Sequence, residues 1–91
     1  MSSATDPAAF TVNVVFFASL REAMGLNNLE ISGVADTTGL INELRVQLGD
    51  DKAQTLAQEN IKIAVNQEII ETPQTLNDGD EVAFLPPVTG G

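Results

Sequence analysis

A long helical period occurs in one segment of this chain, and every other apolar run has to be arranged around it. In TTGLINELRVQLG, Leu40, Leu44 and Leu48 recur at four-residue spacing and Ile41 widens the stripe, the pattern of a helix that buries one face. Asp36, Thr37 and Thr38 are alternative N-caps, and Gly49 is the natural stop. One amphipathic helix cannot bury its own stripe, so it has to lie on a partner layer. The flanking sequence supplies strands for that layer.

The stretch TVNVVFFA after Phe10 is rich in β-branched and aromatic residues and predicts a strand. Val12, Val14 and Phe16 point one way and Val15 and Phe17 the other, so its end is apolar on both faces. SLREAMG predicts a helix of about one and a half turns with Leu20, Ala23 and Met24 on one face, closed by Gly25. LNNLEIS is a second strand, and Gly33 with Ala35 and Asp36 forms its exit loop. Beyond the main helix, residues 51–58 predict a short helix carrying Ala53, Leu56 and Ala57 on one side. IKIAVN alternates cleanly, with Ile61, Ile63 and Val65 inward and Lys62 and Asn66 outward. A turn at Asn66, Gln67 and Glu68 leads to a short partner strand around Ile69 and Ile70. Leu76 tucks inward before the turn Asn77-Asp78-Gly79-Asp80. EVAFL is the last strand, and Pro86 and Pro87 end it because neither can donate to a ladder.

The order β, β, α, β, short β, β makes an α+β domain with one main crossing helix on a mixed sheet. It matches the β-grasp, or ubiquitin-like, architecture, in which the first and last strands lie parallel at the sheet centre. The expected organisation is a disordered tail over residues 1–9, the domain over 10–87 and an extended tail over 88–91.

The composition excludes much chemistry. There is no cysteine and no histidine, so thiol nucleophiles, disulfides, thiolate metal sites and imidazole bases are absent; no metal site is expected. Thirteen acidic residues against four basic ones leave a net charge of −9, which repels phosphate backbones and excludes nucleic acid as a natural partner. That acidity either steers the domain toward a basic partner or simply keeps it soluble. The lead MSSATDPAA has no basic start and no apolar core, and no run is long enough to span a membrane. The expected setting is the cytoplasm, away from any membrane.

The segment FLPPVTGG is the most informative piece of chemistry. Two prolines give a stiff, extended base, and Gly90 and Gly91 are thin enough to enter a narrow tunnel. The reach from Pro87 to Gly91 is roughly 13 Å, enough to place a carboxylate inside another protein's active site. Attack of that carboxylate on the α-phosphate of ATP would give an acyl-adenylate. A sulfur donor displacing AMP would then leave a C-terminal thiocarboxylate. A frayed end is the plainer reading of two glycines. Against it stands the direct continuity of the tail with a core strand.

The blocks VVFFASLRE, AVNQEII and LNDGDEVAFLPPVTGG resemble the small, sulfur-carrier subunits of molybdopterin synthase, over nearly everything from Val12 to Gly91. Members of that family commonly end in Ser-Gly-Gly, so Thr89 is a mild variant. The resemblance implies that Gly91 is adenylated by an E1-like ATP-dependent adenylyltransferase and thiolated by a sulfur donor enzyme, while Val88, Thr89 and Gly90 thread the tunnels of the partners. ATP would be used by the activating enzyme, and no cofactor would be bound by this chain. The thiocarboxylate would donate sulfur to cyclic pyranopterin monophosphate on the large synthase subunit, and two transfers would build the molybdopterin dithiolene. The catalytic side chains would belong to the large subunit, so this chain would not be an enzyme on its own. The family suggests a heterotetramer of two small subunits on a large-subunit dimer. A carrier for thiamin or tRNA thiolation, and a ubiquitin-like protein modifier, are the alternatives.

The family docks through the sheet surface near its C-terminus, which implies an interface of Phe17, Leu85, Pro86 and Pro87 with Val88. Val14 and Phe16 are expected to be buried as parts of a central strand. Arg21 is a candidate to pair with an acidic partner group, a solvated face being the plainer reading. Asp78 and Asp80 are turn formers, not an acid/base pair.

Overall fold

The computed structural model describes residues 11–86. In chain order the elements are β1 (Thr11–Phe16), α1 (Ser19–Met24), β2 (Asn28–Ser32), α2 (Thr37–Leu48), α3 (Asp50–Leu56), β3 (Lys62–Val65), β4 (Glu68–Ile70) and β5 (Glu81–Leu85). The tails expected over residues 1–9 and 88–91 lie outside the described residues.

The strands form one sheet in the order β2-β1-β5-β3-β4. β1 and β5 are parallel neighbours at its centre, with Asn13 opposite Glu81 and Phe16 opposite Phe84. Every other pairing is antiparallel. α2 connects β2 to the other half of the sheet and covers one face. This is the expected β-grasp arrangement.

Local chemistry explains the element ends. Of the three candidate caps for α2, Asp36 is the one used: its Oδ1 accepts from Gly39 N–H at 2.7 Å. Gly49 ends the helix at φ 100° and donates its N–H to the carbonyl of Arg45, a backbone state that suits glycine. α1 has no side-chain cap. At its other end, the Met24 carbonyl accepts from Lys52 Nζ at 3.0 Å, which ties α3 to α1.

The core is the space between α2 and the covered sheet face. Val12, Val14 and Phe16 from β1, Ile31 from β2, and Val82 and Phe84 from β5 meet Leu40 and Leu44 there, with Leu20, Met24, Leu56 and Leu76 closing the ends. The Phe16 and Phe84 rings pack with centroids 5.9 Å apart. Two expectations need correction. Ala23 is exposed, because a six-residue helix aims one i, i+4 pair at the core, here Leu20 and Met24. Ala57 is also exposed; it caps α3 rather than extending its buried side. Ile61 and Ile63 face inward as expected, half-buried against the core. Ala64, on the opposite face of β3, is buried, because its small side chain is flanked by Ala83 and Ile69 on the neighbouring strands.

A polar clasp fixes the start of β5. Asp80 accepts from Asn77 N–H at 2.8 Å through Oδ2 and from Asn66 Nδ2 at 3.0 Å through Oδ1. Asn66 Oδ1 in turn accepts from Glu81 N–H. Asp78 Oδ1 accepts from Thr11 N–H, while Gly79 N–H donates to Thr11 C=O. Both aspartates therefore act as turn formers, and together they set the register of β5 against β1 and against the β3–β4 turn. Asp80→Asn, although isosteric, would aim an amide donor at one of two N–H donors. It is expected to lower stability by about 1–2 kcal/mol, read as a lower urea midpoint at unchanged slope.

Candidate functional site

The strand that leads to the C-terminus is an inner strand of the sheet, held on both sides. β5 is paired on both sides along its length, and at its last residue Leu85 is opposite Lys62 of β3. On the β1 side the pairing runs one residue past the strand, with Phe17 N–H donating to the Phe84 carbonyl at 3.2 Å. The backbone is thus anchored up to the root of the tail. Pro86, half-buried, is the last described residue. Pro87, Val88, Thr89, Gly90 and Gly91 lie outside the described residues.

Around that root is the sheet face that α2 leaves uncovered. The registers place Val15, Ala83, Ala64 and Ile69 in one row across β1, β5, β3 and β4. The two alanines make the middle of the row flat. Toward the tail, Phe17 and Leu85 continue the apolar surface, with Lys62 beside Leu85. Away from the tail the face turns polar, with Asn13 opposite Glu81. Phe17 is 43% exposed, whereas Phe16, one residue earlier, is 1% exposed. The period-2 alternation of a strand is the whole cause of that difference.

Arg21 is exposed on α1 and borders a shallow depression of about 290 Å³ shared with Val15, Phe16, Phe17, Asn27 and Asn28. Among the described residues Arg21 has no ion pair; the pair formed there is Arg45–Asp50 at 3.3 Å. Arg21 and Lys62 are two of the four basic residues in a chain of net charge −9, and both lie beside the apolar surface at the tail root. Sequence reasoning picked out Phe17, Leu85, Pro86 and Arg21; the fold sets Phe17 beside the end of β5 and beside Arg21. It missed Lys62, Ala64, Ala83 and Ile69. Their signal was the phase opposite to Ile63 and Phe84, which becomes legible once strand order is known. Among the described residues no three acidic side chains gather as a metal site, and no helix is long and apolar enough to cross a membrane.

The ThiS family model matches residues 14–91. The molybdopterin synthase sulfur carrier subunit of Escherichia coli is 38% identical over 80 residues, covering 88% of this chain and 99% of that protein. The protein of the same name from Haemophilus influenzae is 36% identical with the same coverage. Among solved structures, the small archaeal modifier protein 1 of Methanosarcina acetivorans superposes with a TM-score of 0.75 at 28% identity, covering 91% of this chain and 98% of that one. The chain matched in the complex of subunits 1 and 2 of the molybdopterin-converting factor of Helicobacter pylori gives a TM-score of 0.67 at 28% identity, covering 90% of this chain and 100% of that one.

The two faces of β1 make different demands on substitution. Phe17→Asp is expected to change stability by less than about 1 kcal/mol, whereas Phe16→Asp places a charge in the core and should abolish the cooperative transition. Chemical denaturation of both variants checks the assignment.

Proposed function

The chain belongs to the ThiS family, and from that premise we propose that it is a sulfur carrier serving molybdopterin synthase, with Gly91 as the residue that bears the sulfur. One observation carries the reading: a central strand of the sheet, β5, paired on both sides, runs without a spacer into PPVTGG, and the family match extends through that segment. A carrier needs a rigid body for docking and a thin end for delivery. The uncovered face serves the first need and the diglycine the second.

The chemistry is that of the chain's own α-carboxylate. A carboxylate oxygen attacks the α-phosphorus of ATP on an E1-like activating enzyme, and pyrophosphate leaves. Sulfide released by a donor enzyme adds to the acyl carbon and AMP departs, leaving the thiocarboxylate. Its sulfur then forms a C–S bond at a carbon of the cyclic pyranopterin monophosphate held by the large subunit as a C–O bond at that carbon breaks. Hydrolysis of the resulting acyl–sulfur bond leaves the sulfur on the pterin and returns the carboxylate. No side chain of this protein acts as acid or base, which agrees with a composition free of histidine and cysteine. Threading five residues into a partner costs about 1–2 kcal/mol each in backbone entropy. Pro86 and Pro87 reduce that cost by restricting the free chain in advance. Phe17, Leu85, Pro86 and Pro87 supply apolar contact, and Arg21 pairs with an acidic group of the partner.

Incubated with ATP, an activating enzyme and a sulfur donor, the intact chain is expected to gain the mass difference of sulfur for oxygen, and a chain lacking Gly91 is not. No gain, under conditions that thiolate the Escherichia coli carrier, would refute the reading. The likeness to a small archaeal modifier protein favours a second reading in which Gly91 forms isopeptide bonds with lysines. Diglycine remnants on other proteins after proteolysis would support it. For the docking face, Phe17→Asp is expected to weaken binding to the large subunit by at least about tenfold, measured by titration calorimetry.

A further inference from the structure

The two edges of the sheet are unequally protected. β2 carries exposed Asn28, Glu30 and Ser32, polar residues of the kind that discourage pairing with another chain. β4, the opposite edge, is short and begins with Glu68, but it has neither lysine nor proline and carries two adjacent isoleucines, so its blunting is only partial. Ile69 is 60% exposed on the uncovered face. Ile70, on the other side, borders a groove of about 500 Å³ whose apolar lining includes Ile41, Ile61 and Ile63.

The hairpin determines what the β4 backbone offers. Asn66 and Gln67 have φ of 52° and 73°, the two positive values of a tight two-residue turn whose twist suits a hairpin. Val65 and Glu68 therefore close the ladder as the bonded pair. Alternation then turns the N–H and C=O of Ile69 away from β3, toward open solvent. Charge decides the kind of occupant. Glu68 and Glu71 bracket the strand and Glu59 lines the groove, with Lys62 as the one cation among the groove's lining residues. A second copy paired antiparallel through β4 would bring these glutamates together, which is unfavourable.

We infer that the β4 edge accepts an extended strand from another protein, with aliphatic side chains that alternate between Ile69 and the isoleucine groove and with lysine or arginine at its flanks. This site is separate from the tail and does not depend on the sulfur-carrier reading. Its occupant reads the backbone of Ile69 and the surrounding carboxylates together.

The probe is a synthetic peptide of alternating valine and threonine flanked by lysines, titrated into the ¹⁵N-labelled full chain. The expected result is shifts centred on the amides of Glu68, Ile69, Ile70 and Glu71, with binding that weakens as salt rises. Ile69→Pro removes the outward N–H without removing a ladder bond and should cost at least about tenfold in affinity, as should N-methylation of the peptide's pairing amides. Glutamate-flanked peptide should fail to bind. The proposal is overturned by equal binding of the glutamate-flanked peptide, by shifts centred on Phe17 and Leu85 instead, or by no shifts at millimolar peptide. It is equally overturned by concentration-dependent β4 shifts without peptide, which would make a second copy the occupant.

Discussion

The parallel pairing of β1 with β5 is the constraint on which the rest of the structure depends. It joins the two ends of the described chain, residues 11–16 and 81–85, at the centre of the sheet. Two parallel strands cannot be linked by a short turn, so everything between them has to form a long crossover. That crossover is the remainder of the domain: an antiparallel partner for β1, a helix across one face, and the β3–β4 hairpin, whose first strand pairs with β5. Burial of Val12, Val14, Phe16, Val82 and Phe84 supplies the driving force, while the Asp78–Asp80 turn and Asn66 hold the register at one end.

The same pairing shapes the candidate site. A strand at a sheet edge would fray and blur the position of anything attached to it. β5 is paired with β1 as far as Phe84 and with β3 as far as Leu85, so the point from which PPVTGG departs is set by the core itself. The face beside that point is flat because Ala64 and Ala83 occupy its middle, and apolar because Val15, Phe17, Leu85 and Ile69 surround them. The buried core and the uncovered face both follow from one arrangement: α2 covers one face of the sheet and leaves the other open.

Charge is distributed on the same logic. At the tail root, Arg21 borders Phe17 and Lys62 lies opposite Leu85, so two basic side chains flank the apolar surface there. The acidic side chains near β4 instead surround the less protected edge. A partner of the tail face and a strand added to the β4 edge would thus meet opposite local charge, although the chain's overall charge is strongly negative. A single net charge says little about which surface meets which partner.

Much of this was legible in the residues. The 3.6-residue period of Leu40, Leu44 and Leu48, the period-2 runs, the turn at Asn77 to Asp80 and the stop at Pro86 are local signals, and each specifies an element because it depends only on neighbours along the chain. The resemblance carried by VVFFASLRE and LNDGDEVAFLPPVTGG then named a fold and a tail chemistry. Burial was harder. Ala23 and Ala57 look like core residues on a helical wheel, but a helix of six or seven residues has too few turns for the wheel to decide which flank touches the sheet. Ile61 and Ile63 read as inward and are so, half-buried against the core. Lys62, Ala64, Ala83 and Ile69 are scattered over 22 positions from 62 to 83 and become one surface with Phe17 and Leu85 only when β3, β5 and β1 are set side by side. Local pattern determined which elements form. Strand order, a non-local choice made by burying both central strands beneath a single helix, decided which residues share a face.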